Sequence, residues 1–268
     1  MGPPASRVEV AGVEIRCWSR GTGPAVLLIH ETAATAEIWT PLAEALGDEV
    51  TAIAFDRRGW GCSDAPEAYL RTTIEEQARD AAAVLEDHGA ETALVCGAGI
   101  GAVIALELLL GRRELVLGAV LIEPPLLALV PEATEGISAD RKAIEEAFRD
   151  GGVPAALDLY LRGGLPFLGP GAERIPASAA AGARERPLSL FAELATVPAW
   201  SIRTAALAEV TAPSAVVVTA STPPPVRSAG EQLAGRLGGS ALRRLGGEGL
   251  PHVAAAPELA QELRRLLG

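Results

Sequence analysis

The stretch that decides the fold is residues 93–101, which read Ala-Leu-Val-Cys-Gly-Ala-Gly-Ile-Gly. It opens with four small or apolar residues, and the segment that follows, 100–110, is apolar except for Glu107. A short apolar run bounded by glycines is typical of a buried strand, and a longer run is typical of a buried helix. The stretch therefore predicts a strand, a tight glycine turn and a helix.

The same alternation continues on both sides of this stretch. Towards the N-terminus we predict a hairpin, two strands and two helices, at 8–10 with 13–18, at 25–29 and 50–55, and at 41–46 and 73–87. Towards the C-terminus we predict strands at 119–122, 215–219 and 241–245, and helices at 226–237 and 257–267. Alternation of this kind favours an α/β fold with a mostly parallel sheet of about eight strands and helices on both faces.

The alternation is interrupted between residues 124 and 203. This segment has helical patterns at 141–149 and 153–161, with glycine or proline breaks at 163–164, 169–171 and 187. Its Leu, Phe and Trp side chains can bury surface against the rest of the chain. We therefore predict one core domain, residues 1–123 and 204–268, with a helical cap insertion at residues 124–203.

Composition excludes several classes of protein. The net charge of −11 at pH 7 argues against nucleic acid as a partner, because nucleic acid requires a basic patch. No apolar run is long enough to cross a membrane. The three cysteines, at 17, 62 and 96, follow no metal or disulfide spacing. We expect a cytoplasmic protein that binds a small molecule and needs no metal or organic cofactor, and the sequence leaves the oligomeric state open.

Four loops, each after a predicted strand, carry the candidate functional residues. They are Leu-Ile-His-Glu-Thr at 28–32, Asp-Arg-Arg-Gly-Trp-Gly-Cys-Ser at 56–63, Cys-Gly-Ala-Gly-Ile-Gly at 96–101 and Gly-Leu-Pro-His at 249–252. As an ordered set they resemble the α/β-hydrolase superfamily, and the resemblance covers essentially the whole chain outside the cap. The glycines of the second loop imply a structural tight turn.

The resemblance places glycine where the family has its nucleophile. Gly97 and Gly101 match the outer glycines of the G-x-S-x-G nucleophile elbow, so the nucleophile position is Gly99. The elbow residue normally has a strained backbone with positive φ, which glycine adopts without that cost. The backbone N–H of Ile100 can still bind an oxyanion. A dinucleotide site is the weaker alternative, because the third glycine of G-x-G-x-x-G is missing.

The resemblance also implies the other members of a site. His252 matches the catalytic histidine, and His30 and Thr32 belong to the oxyanion loop. Residues 219–223, where the family often has its catalytic acid, contain no carboxylate. The resemblance then implies Glu123, after the strand predicted at 119–122, as the acid. We predict that Glu123 lies within hydrogen-bond reach of His252 Nδ1, and the alternative is that it is a solvated loop carboxylate.

Glu31 stands where the family usually has glycine, and its charge would repel an oxyanion. We expect the carboxylate to turn outward and pair with Arg57 or Arg58. The alternative is that the cap desolvates it and raises its pKa, so that it acts as a general acid.

Three functions follow from a site with Gly99, Glu123 and His252. The first is an enzyme that acts on a small, largely apolar carbonyl compound by His/Glu acid–base chemistry without a serine nucleophile, as a lyase, isomerase, cyclase or water-direct hydrolase. The second is a non-catalytic protein that binds a ligand in the same pocket. The third is a serine hydrolase whose native serine has been replaced at position 99.

Overall fold

The computed structural model describes residues 5–169, 177–194 and 196–268. An eight-stranded sheet forms the centre, with strand order β1-β2-β4-β3-β5-β6-β7-β8. Its strands are β1 (Ala5–Val10), β2 (Val13–Arg20), β3 (Ala25–Ile29), β4 (Thr51–Phe55), β5 (Ala93–Ala98), β6 (Val116–Ile122), β7 (Ser214–Thr219) and β8 (Ser240–Leu245). Only β2 is antiparallel to its neighbours β1 and β4, and β3 to β8 are parallel. The predicted fold class is confirmed.

Helices cover both faces of this sheet. They are α1 (Thr40–Leu46), α2 (Ile74–Asp87), α3 (Ile100–Gly111), α9 (Pro224–Ala234), α10 (Pro251–Ala254) and α11 (Ala256–Leu267). The central strands β3 and β5 are buried at every residue, because α2, α3 and α9 pack on one face while α1 and α11 pack on the other. Because helices cover both faces of the sheet, the sequences of these strands are continuous apolar runs.

Most of the described residues between β6 and β7 are helical. They form α4 (Thr134–Leu161), α5 (Ala177–Glu185), α6 (Pro187–Leu194), α7 (Thr196–Ala199) and α8 (Thr204–Ala208). We call α4–α7 the helical insertion. It has its own apolar cluster, which packs Leu157, Leu161 and Leu190 against Ala33 and Trp60 of the core. Residues 1–4 of the predicted core, and residues 170–171 of the predicted break at 169–171, lie outside the described residues.

Candidate functional site

The turn between β5 and α3 has the geometry of a nucleophile elbow. Gly99 has a φ of 55°, and its N–H donates to the carbonyl of Ile122 at 2.9 Å. A Cβ on Gly97 would lie 2.1 Å from the Gly101 oxygen, and a Cβ on Gly101 would lie 2.1 Å from the Ile29 oxygen. Both outer glycines are therefore required for the helix to approach the sheet this closely.

Glu31 lies against this elbow. A Cβ on Gly99 would come within 2.9 Å of the Glu31 Cβ, which is closer than two such atoms approach in proteins. The space that a serine would need at position 99 is therefore taken by the side chain of the oxyanion loop. The two departures from the family pattern, at positions 31 and 99, are steric neighbours.

His252 is the partner of Glu31. The imidazole belongs to α10, is completely buried, and packs on Trp39 with ring centroids 4.5 Å apart. Its Nε2 lies 3.4 Å from Oε2 of Glu31. The carboxylate therefore occupies the side of the imidazole where an elbow nucleophile would be expected.

The prediction that Glu31 turns outward to Arg57 or Arg58 is wrong, because its side chain lines the cavity and lies beside His252. Arg57 forms an ion pair with Glu193, and Arg58 forms ion pairs with Asp80 and Glu76. Neither guanidinium forms an ion pair with Glu31. Burial acts to raise the pKa of Glu31, but the charge of His252 acts against it and holds that pKa below its ordinary value. This direction is opposite to the one that the alternative, a neutral general acid at Glu31, requires.

The predicted hydrogen bond between Glu123 and His252 is not formed. Oε1 of Glu123 accepts a hydrogen bond of 2.6 Å from the hydroxyl of Thr222, which follows β7. Among the residues that the structure describes, Nδ1 of His252 has no hydrogen-bond partner. Glu123 nevertheless lies at the end of β6 with a φ of 49°, a strained value for a residue with a side chain, and it shares a cavity with His252.

His30 holds the loop that carries Glu31. Its Nδ1–H donates to the Glu31 carbonyl at 2.7 Å, and its Nε2 accepts from the backbone N–H of Arg57 at 2.9 Å. Burial, followed by the charge of Arg57, holds the pKa of His30 well below its ordinary value, so the ring is neutral. His30 does not line the cavity, and its part is to position the loop.

Glu193, on α6 of the helical insertion, is a site residue that the sequence analysis did not identify. Its buried carboxylate is the ion-pair partner of Arg57, whose Nη2 donates at 3.2 Å. It also accepts from Trp60 Nε1 at 2.8 Å and from the Thr32 hydroxyl at 2.9 Å. The one available signal was a lone glutamate in the otherwise apolar pattern of α6.

The loop at 56–63 is structural, as its glycines predicted. Ser63 is buried, and its hydroxyl donates to the Asp56 carbonyl at 2.6 Å. The Asp56 carboxylate in turn accepts from the backbone N–H groups of Ala36 and Cys62. A Cβ on Gly61 would lie 2.4 Å from that carboxylate, which is why glycine is needed there.

One cavity of about 260 Å³ brings the candidate residues together. Glu31, Thr32, Gly99, Ile100, Glu123 and His252 line it, together with Glu193 and apolar side chains of the helical insertion. The backbone N–H of Ile100 begins α3 and has no acceptor within that helix, so it is available to an oxyanion. The cavity therefore combines apolar walls with an imidazole, carboxylates and a helix N-terminus.

Comparison with known proteins agrees with this architecture. A family model described as the alpha/beta hydrolase family matches residues 26–262. The chain belongs to this family. Like other members, this alpha/beta hydrolase has its candidate site where loops follow the parallel strands.

Two curated relatives are hydrolases by name. The chain is 28% identical over 172 residues to 2-(acetamidomethylene)succinate hydrolase of Mesorhizobium japonicum, a match covering 64% of this chain and 59% of that protein. It is 36% identical over 108 residues to epoxide hydrolase A of Mycobacterium tuberculosis, covering 39% and 34%. The matches thus span less than two thirds of the length of either relative.

A solved structure shows the same fold over the whole chain. A thermophilic esterase from Thermogutta terrifontis superposes with a TM-score of 0.76 at 20% identity, covering 98% of each chain. At that identity the likeness concerns the fold alone. Within the described residues, the helices are all too short or too polar to cross a membrane.

Proposed function

We propose that this alpha/beta hydrolase is an enzyme that moves a proton on a small, largely apolar carbonyl compound without forming an acyl-enzyme. The observation that carries the proposal is the pairing of His252 with Glu31, 3.4 Å apart, beside a glycine at the elbow. The hydrolase names of similar proteins support a small-molecule substrate.

His252 is the proposed base. A proton taken by the imidazole creates a cation, and the ionised carboxylate of Glu31 stabilises that cation. The negative charge left on the substrate oxygen is taken by the backbone N–H of Ile100, at the N-terminus of α3, and by that of Thr32. Because Gly99 has no hydroxyl, the reaction passes from substrate to product by proton transfer or by direct attack of water.

The experiment measures proton transfer and covalent labelling side by side. Small uncharged ketones, esters and lactones are screened for exchange of their α-protons in heavy water and for hydrolysis. Glu31→Gln should lower the rate by about 100-fold or more, because it removes the stabilising charge while keeping the shape. Glu44→Gln, an exposed glutamate of the neighbouring α1, is the matched control and should retain the wild-type rate.

The wild-type protein should also show no burst with activated esters and no labelling by serine-directed phosphonates. Stoichiometric labelling, or a Glu31→Gln variant with full activity, would contradict the proposal. Ligand binding without turnover of any compound would instead favour a non-catalytic binding protein.

A further inference from the structure

We infer that the cavity takes molecules whose polar end is uncharged and excludes molecules that end in a carboxylate. The inference rests on the proposed function in placing the substrate beside His252, but it concerns binding and not turnover. It deepens that proposal by defining the charge of the substrate.

The cavity lining is rich in carboxylates. Three of them, Glu31, Glu123 and Glu193, line the cavity beside the imidazole of His252. Among the described residues, no lysine or arginine side chain contributes to the lining. Arg57 balances the charge of Glu193, so a bound carboxylate would lose its water and meet the like charges of Glu31 and Glu123 in a surrounding of low dielectric.

Two arginines, Arg57 and Arg227, contact residues around these carboxylates. Arg57 forms the ion pair with Glu193 described above. Arg227, on α9, donates to the carbonyl oxygens of Ala220 and Thr222 at 2.7 and 2.9 Å. Neither group belongs to the cavity lining, so neither serves as the anchor that an anionic substrate needs.

The cavity also contains a polar group that a neutral ligand satisfies. His252 is completely buried. Its Nε2 lies 3.4 Å from Glu31 Oε2 without a hydrogen bond, and its Nδ1 has no hydrogen-bond partner in the part of the chain that the structure describes. A buried donor or acceptor without a partner is costly, so this ring points to a ligand. An amide, ester or ketone supplies the missing hydrogen bond without bringing a further negative charge.

The walls of the cavity indicate that the other end of such a ligand is apolar. They are formed by apolar side chains, among them Leu126, Ile137, Leu190, Val197 and Trp200. A short hydrocarbon chain packed on these side chains leaves water favourably. The expected ligand is therefore a small acyl chain that ends in an uncharged carbonyl group.

The test compares hexanamide with hexanoate, which have the same chain and differ in the charge of the polar end, by isothermal titration calorimetry. The wild-type protein should bind hexanamide about ten-fold or more tightly than hexanoate, as expected for a like charge in a site of low dielectric. Glu123→Gln should raise the affinity for hexanoate and narrow this ratio. Glu132→Gln, an exposed glutamate of the same region, should leave the ratio unchanged. Glu31→Gln serves as the second variant if Glu123→Gln does not fold.

Equal or tighter binding of hexanoate by the wild-type protein would overturn the inference, and so would failure to bind hexanamide. The outcome is distinct from that of the proposed function. Binding of hexanamide by a protein that transfers no proton refutes the proposed function only. Proton transfer on a carboxylate-terminated substrate refutes this inference only.

Discussion

At the scale of single residues, positions 31 and 99 form a matched pair. Gly99 leaves room at the elbow, and Glu31 takes that room, with its Cβ only 2.9 Å from where a Cβ at position 99 would be. The same carboxylate then reaches Nε2 of His252. Under the proposed function, the carboxylate of Glu31 would therefore act beside His252 in place of a nucleophile at the elbow.

This pairing predicts that the two substitutions are coupled. Gly99→Ser alone should destabilise the protein, because it adds the collision with Glu31 to an elbow strain of about 1–3 kcal/mol. The double variant Glu31→Gly with Gly99→Ser removes the collision and should be less destabilised than the sum of the two single variants. It should also gain weak esterase activity and be labelled by a phosphonate. Urea unfolding of the four proteins measures the coupling.

Glu31→Gly with Gly99→Ala is the control for the hydroxyl, because it has the same backbone and no nucleophile. It should fold as well as the serine double variant and remain unlabelled. Purely additive free energies of unfolding would show that the side chains at 31 and 99 do not compete for space.

At the scale of elements, α6 of the helical insertion is joined to the core through a buried ion pair. The side chains of Arg57 and Glu193 are each only 1% exposed, so the pair is screened little by water. Glu193 also accepts from Thr32, the residue after Glu31. The position of the helical insertion is thereby linked to the loop that carries the candidate carboxylate.

Removal of the negative charge of Glu193 should therefore lower the free energy of unfolding. Glu193→Gln leaves Arg57 buried without its counter-charge, and we expect a loss of about 3–5 kcal/mol in the free energy of unfolding. Chemical denaturation measures it. Glu114→Gln, which affects the exposed pair with Arg112, is the matched control and should change stability little. A Glu193→Gln variant as stable as the control would mean that Arg57 finds another partner.

The elements themselves were largely predictable from sequence. The strand predicted at 25–29 is β3. The helices predicted at 141–149 and 153–161 lie in the two helical parts of α4, which meet at the non-helical Gly152, where φ is 66°. β6 starts at Val116, three residues before the predicted start at 119. The prediction started too late because Gly118 interrupts the apolar strand pattern. That glycine is needed since a Cβ there would lie 2.4 Å from the Pro213 oxygen.

The site was predictable only as a set of loops. Strand ends and family motifs placed residues 31, 99, 123 and 252 at one edge of the sheet, and the structure has them there. They did not give side-chain directions, because the path of the loop after β3 depends on distant contacts. Glu193 stands 136 positions from Arg57 along the chain, and no local pattern connects the two.

At the scale of the whole molecule, His30 joins two of the loops that end parallel strands. It bridges the loop after β3 to the loop after β4 through Glu31 and Arg57, and burial, with the charge of Arg57, holds its pKa well below the ordinary value. The neutral ring is therefore part of the folded structure. Protonation would place a cation beside Arg57 and remove the acceptor for its N–H.

This bridge predicts how stability depends on pH. In the unfolded chain an imidazole takes up a proton below about pH 6.5, whereas the buried ring of His30 stays neutral to lower pH. The unfolded state then binds more protons, so the contribution of His30 is complete above about pH 6.5 and declines as the pH falls towards the folded pKa. The slope for one such group approaches about 1.4 kcal/mol per pH unit. In urea unfolding, His30→Gln should therefore show a smaller decline in the free energy of unfolding between about pH 7 and pH 5. His88→Gln, at the end of α2, controls for the loss of an imidazole. An unchanged slope in His30→Gln would show that the ring is already protonated in the folded protein or that another group controls this range.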